Sequence, residues 1–169
     1  QISTIAGNGG IFTSGELPAT ETSLPDPTDV VVDDAGNLYI LHSRKISKVT
    51  STGAVSTIAG GSFGANLVLE SGPAAEARFS LPNDICIDAK GQIFIADTFN
   101  DIVRKIDTEG TISLVAGTGD AGFSGDGGQA TAAELNSPYA IFVSPNGDLY
   151  IGDNGNRKVR KVDTSGTIT

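Results

Sequence analysis

Pro82-Asn-Asp-Ile-Cys-Ile-Asp-Ala-Lys-Gly-Gln-Ile-Phe-Ile95 reads as two short strands around a glycine turn. Its first apolar run, Ile85-Cys-Ile87, has no polar alternation, so both faces of that strand ask for burial. Lys90-Gly91 supplies the reversal and Ile93-Phe-Ile95 the returning strand. The stretch is one of three copies. Pro27-Thr-Asp-Val-Val-Val-Asp-Asp-Ala-Gly-Asn-Leu-Tyr-Ile40 precedes it and Pro138-Tyr-Ala-Ile-Phe-Val-Ser-Pro-Asn-Gly-Asp-Leu-Tyr-Ile151 follows. Their leading prolines lie 55 and 56 residues apart (82 − 27 and 138 − 82).

Working outward, each copy runs into a basic strand: Lys45-Ile-Ser-Lys-Val49, Ile102-Val-Arg-Lys-Ile106 and Lys158-Val-Arg-Lys-Val162. A turn at Gly53, Gly110 or Gly166 follows, then a closing strand such as Val55-Ser-Thr-Ile-Ala-Gly60 or Ile112-Ser-Leu-Val-Ala-Gly117. Four strands per period, repeated at roughly 40–56 residues, predict an all-β fold: a β-propeller of three four-stranded blades. The first strand of each blade is expected at the axis, buried on both faces. Ile2-Ser-Thr-Ile-Ala-Gly7 matches the closing strand, so residues 1–7 are assigned to a preceding or partner blade. Residues 8–60 make blade 1 with its connector, 61–117 blade 2, and 118–169 blade 3 with its last strand incomplete.

Three blades are too few to close a ring, which takes at least about 4. If each open face bared ~500 Å² of apolar surface, the lost burial would be roughly 12 kcal/mol at 25 cal/mol per Å². That rivals the ~5–15 kcal/mol that holds a whole domain. The arc is therefore expected to be half of a six-bladed ring, completed by further blades or by a second copy of the chain.

The stretch Ala116-Gly-Thr-Gly-Asp-Ala-Gly-Phe-Ser-Gly-Asp-Gly-Gly-Gln-Ala-Thr-Ala-Ala-Glu-Leu-Asn-Ser-Pro138, with Gly147-Asp-Leu-Tyr-Ile-Gly-Asp153 and Arg157-Lys-Val-Arg-Lys161 after it, resembles an NHL repeat of the long, glycine-rich kind. The resemblance covers nearly the whole chain in three copies. It implies a non-enzymatic six-bladed scaffold for protein or glycan binding or adhesion, extracellular or at the cell surface, as a module of a larger or oligomeric assembly.

Composition agrees with many short strands: Gly is 22 of 169 residues, charged residues are 18%, and Trp and Met are absent. A net charge of −9 argues against a nucleic-acid partner, which calls for a concentrated basic face. No apolar run approaches the ~20 residues of a membrane helix, so no membrane insertion is expected. Gln1 in place of an initiator Met, with no apolar leader, reads as a processed or excised chain.

Several residues invite a chemical reading. Residues 117–128, with Asp120 and Asp126, suggest a calcium loop or a phosphate cradle; no Gly-Lys-Ser/Thr follows and the EF-hand spacing fails. Glycines that allow positive φ in a connector between blades explain the stretch, and no cofactor is assigned. Beyond it, Ala130, Ala133 and Leu135 space like a short plug, repeated at Ala74, Ala77, Phe79 and at Ala19, Thr22, Leu24.

Asp97, Asn100 and Arg104 recur 56 residues later as Asp153, Asn156 and Arg160. A carboxylate ending one strand and a guanidinium on the next suit a directional, charge-assisted pair, read here as a structural clasp between blades. Blade 1 carries His42 and Ser47 in those places, so both members are replaced together. One histidine excludes a multi-imidazole zinc site within this chain, and no catalytic residue is assigned. Cys86 aligns with Val31 and Phe142 and reads as a buried apolar residue.

Two alternatives stand beside the scaffold. Pro82-Asn-Asp-Ile85 is similar to a stretch of six-bladed lactonases of the gluconolactonase type, a resemblance that makes Asn83 a metal-ligand candidate in a metal-dependent hydrolase. Thr28 and Tyr139 occupy its place in the other copies and are poor partners for a hard cation. RNA binding, known among NHL propellers, would use the basic third strands.

Overall fold

Aspartates open the hairpins. The Oδ1 atoms of Asp33, Asp88, Asp107 and Asp163 each accept two backbone N–H groups, two and four residues on. This local bonding holds the chain in a reversal through residues adjacent in sequence. The computed structural model describes residues 1–10, 17–60 and 71–169; residues 61–70, assigned to the start of the blade 2 connector, and 11–16 lie outside it.

Among the described residues, twelve strands form three antiparallel sheets. Blade 1 is the meander β1 (Pro27–Val32), β2 (Leu38–His42), β3 (Lys45–Val49) and β4 (Val55–Gly60). Blade 2 takes β5 (Gly72–Pro73) as a short outer strand beside the meander β6 (Asp84–Ile87), β7 (Ile93–Asp97), β8 (Ile102–Ile106) and β9 (Thr111–Ala116). Blade 3 comprises β10 (Pro138–Val143), β11 (Leu149–Asp153) and β12 (Lys158–Val162), with Ile168 bridged to Val162 as the first step of a fourth strand. The chain thus folds as three blades of a β-propeller. Residues 1–6 pair with no strand among the described residues, and Ile2 and Ile5 are exposed.

The core lies between sheets. Tyr39, Leu41 and Ile46 of blade 1 pack with Ile85, Ile95 and Ile106 of blade 2. Phe94 and Val103 of blade 2 pack with Ile141 and Ile151 of blade 3. The alanine plugs are 3-10 turns, and their first residues, Ala19, Ala74 and Ala130, are buried under the outer strands.

The first strands are not all covered on both faces, contrary to the sequence expectation. Val30 is 55% exposed where its equivalent Ile85 is 2% exposed, and Phe142 is exposed on β10. Likewise Val159 is 75% exposed and its blade 2 equivalent Val103 is fully buried. Each blade is sealed by the next, so the outer face of blade 3 stays bare, while that of blade 1 is covered in part, by Ala6, Ala19 and Leu24 over Ile40, and is open at Val30 and Val32.

Candidate functional site

Asp97 ends β7 and Arg104 sits mid-β8, both buried, with Nη1 3.4 Å from the carboxylate. Asp97 accepts the Ser80 N–H at 2.7 Å and the Asn100 side-chain amide at 2.8 Å, while Arg104 donates to the Arg78 carbonyl at 2.9 Å. Burial pushes the Asp97 carboxyl up against the pull of those bonds, and lowers Arg104 against the attraction of Asp97. In blade 3, Asp153 accepts from the Asn136 N–H and from Asn156, both at 2.8 Å, and lies 3.6 Å from Arg160. Arg160 also bonds Asp126 and the carbonyls of Ser124 and Glu134. The bonds therefore join each sheet to the connector that enters it, where the sequence reading placed them between blades. The reason is geometric: the Asp and Arg share one sheet, and the incoming chain crosses over them before turning into the first strand.

Blade 1 departs at both partners. His42 Nε2 is 2.8 Å from Ser47 Oγ, both side chains buried. Pro25 occupies the place of Ser80 and Asn136, and proline has no N–H to give a carboxylate. Acceptor and donor are missing together.

The ties between blades lie nearer the axis. Asp29 Oδ2 accepts the Ile85 N–H at 2.8 Å, and Asp84 Oδ2 accepts the Ile141 N–H at 2.6 Å. Burial, reinforced by Asp29 facing it, pushes the Asp84 carboxyl up to about 7. Sequence reasoning missed this pair, because one Asp per strand looks like ordinary polar filling. The available signal was its recurrence two residues after the repeated proline in two copies, with Ala140 in the third.

Among the described residues no three His, Cys, Asp or Glu side chains gather as a metal set. Asn83 is half-buried with its backbone N–H on the Ala96 carbonyl, and Thr28 and Tyr139 in the matching places are exposed. Asp126 of the glycine-rich connector is engaged by Arg160, which a cation would have to displace. Burial raises the Cys86 thiol to about 12, so it carries no thiolate at neutral pH. The basic third strands are partly consumed internally: Arg104 and Arg160 are buried, Lys161 lies 3.6 Å from Asp148, and Lys48 stands over the Tyr39 ring.

The face where connectors enter carries apolar side chains. Leu81 is 50%, Phe99 66% and Tyr139 53% exposed. Hydrogen bonds of adjoining residues bring their segments together: the Phe99 N–H donates to Ser80 O at 3.0 Å, and the Thr98 side-chain Oγ1 donates to Pro138 O at 2.8 Å. Phe123, on the connector that Asn156 bonds through Gly122, is also exposed, with Lys158 Nζ 4.6 Å from its ring centre. Leu81 stands at φ 46°, directly before the repeated proline. Asp26 and Ser137 hold the same left-handed conformation in the other copies. A bulky aliphatic there costs about 1–2 kcal/mol.

The fold and this face define a propeller arc with a decorated loop surface. No protein-family model matches the chain. It is similar to mouse teneurin-1, at 31% identity over 187 residues, covering 95% of this chain and 7% of that protein. Among solved structures, an auxiliary nutrient binding protein from Bacteroides ovatus superposes with a TM-score of 0.65 at 21% identity, covering 89% of this chain and 39% of that one. A gluconolactonase from Xanthomonas campestris superposes with a TM-score of 0.56 at 14% identity, covering 86% of this chain and 48% of its own. Likeness at that identity shows the propeller fold alone. The chain spans well under a tenth of teneurin-1 and less than half of either structure.

Proposed function

We propose that the chain is part of a non-enzymatic NHL-type propeller, extracellular or at the cell surface, that binds a protein partner on its loop face through Leu81, Phe99 and Tyr139. The observation that carries this reading is Leu81. An exposed aliphatic side chain held in a strained left-handed conformation, where the sister copies use Asp26 and Ser137, breaks a local rule while leaving half of its surface in solvent. Two exposed aromatic rings beside it complete an anchor of the kind protein interfaces use. Similarity to teneurin-1 over 95% of this chain and 7% of that protein supports the reading as one module of a larger protein.

The test offers the full-length protein to a panel of extracellular proteins and to a glycan array, beside a Leu81→Asp/Phe99→Ser variant of unchanged circular dichroism. A protein ligand whose affinity drops at least tenfold in the variant is the expected result. A ligand held equally by both forms, a response confined to glycans, or calcium-dependent lactone hydrolysis would each overturn the reading.

A further inference from the structure

His42 is the chain's single histidine and the structure gives it an unusual setting. It ends β2 at 5% exposure, with Nε2 held by Ser47 and Nδ1 without a hydrogen-bond partner among the described residues. A buried imidazole nitrogen without a partner is tolerable as the bare acceptor of a neutral ring. Protonation would turn it into a buried N–H⁺ donor with nothing to receive it.

The surroundings add to that cost. On β3, Lys45 pairs across from His42 and repels a second positive charge. On β1 the opposite residue is Pro27, and Asp26 ahead of it is exposed. Arg44 lies in the β2–β3 turn and is exposed. Glu21 and Arg78, on the connectors either side of this blade, each take part in interactions of their own. No carboxylate among the described residues forms an ion pair with His42. Burial first, and Lys45 second, hold the imidazole below its ordinary value.

We propose that His42 makes blade 1 acid-labile: the first sheet loosens at its loop end when this ring is protonated, while blades 2 and 3, locked by Asp97–Arg104 and Asp153–Arg160, keep their connectors seated. The device is independent of which ligand the loop face takes. The sign follows from linkage. A ring that protonates more readily unfolded than folded contributes stability above its unfolded value near 6.5. That contribution is lost as pH falls below it.

The experiment measures amide-exchange protection factors, corrected for intrinsic rates, in the full-length protein and in His42→Gln between pH 7.5 and 5. Protection of the β2 and β3 amides should fall by up to tenfold per pH unit below about 6.5 in the parent. In His42→Gln it should not. The opposing contribution of Asp84 is common to both forms. Strands β7, β8, β11 and β12 should lack the acid-induced loss. A second readout guards against a misfolded variant: the His42 ring resonance, followed by NMR in the parent, should titrate below 6.5. Titration at or above 6.5, an equal loss in the Gln variant, or an equal loss in all three blades would overturn the proposal.

Discussion

A buried charge is held by what surrounds it. The pairs Asp97–Arg104 and Asp153–Arg160 sit at essentially zero exposure, and each carboxylate accepts a backbone N–H and an Asn side chain besides facing its Arg. Removing one member breaks a buried pair. Asp97→Ala should destabilise the protein by about 3–5 kcal/mol in urea unfolding, because the Ser80 N–H and the Asn100 amide lose their buried acceptor and Arg104 loses this carboxylate. A cost below about 1 kcal/mol would show that water reaches the guanidinium and that the clasp holds nothing.

Strands join across blades through their axial ends as well as through side-chain packing. Asp29 and Asp84 cap the backbone of the following blade, yet burial of Asp84, reinforced by Asp29 facing it, makes its charged form costly. Because the folded value of Asp84 is raised, its contribution to stability is full below the ordinary carboxylate range and is lost as pH rises through about 7. Asp29→Asn keeps a carbonyl oxygen for the Ile85 N–H and removes the repulsion. Stability at pH 8 should rise by about 1–2 kcal/mol, a figure discounted for solvent screening of a half-exposed group. The decline between pH 4 and 7 should flatten in guanidinium titrations of that variant.

Taken whole, the molecule is an arc with an exposed apolar face at each end. Blade 3 offers Phe142, Tyr150 and Val159, the counterparts of the surface that blade 2 buries; blade 1 offers Val30 and Val32, the counterparts of Ile85 and Ile87. Further blades or a second copy, packed as blades 2 and 3 pack on each other, would cover both. Val159→Asp should therefore cost at least about 2–3 kcal/mol in the full-length protein, since the charge would enter a sealed interface. A thermal unfolding midpoint equal to the parent's would mean the face is open to water. Light scattering distinguishes the two coverings, since only a second copy doubles the mass.

The repeat of Pro27, Pro82 and Pro138, the continuous apolar runs after them and the turn aspartates made strand, turn and blade legible in order, because those depend on residues close in sequence. Asp97 and Arg104 could be matched as partners from their joint recurrence and their joint replacement by His42 and Ser47. What they hold could not, because the connector reaches them from outside the sheet. The facing of Asp29 and Asp84, the orphaned His42 nitrogen and the grouping of Leu81, Phe99 and Tyr139 were decided only by tertiary structure. Each joins positions brought together by the stacking of separate sheets or by a chain crossing, and burial and field at such points have no signature in local periodicity.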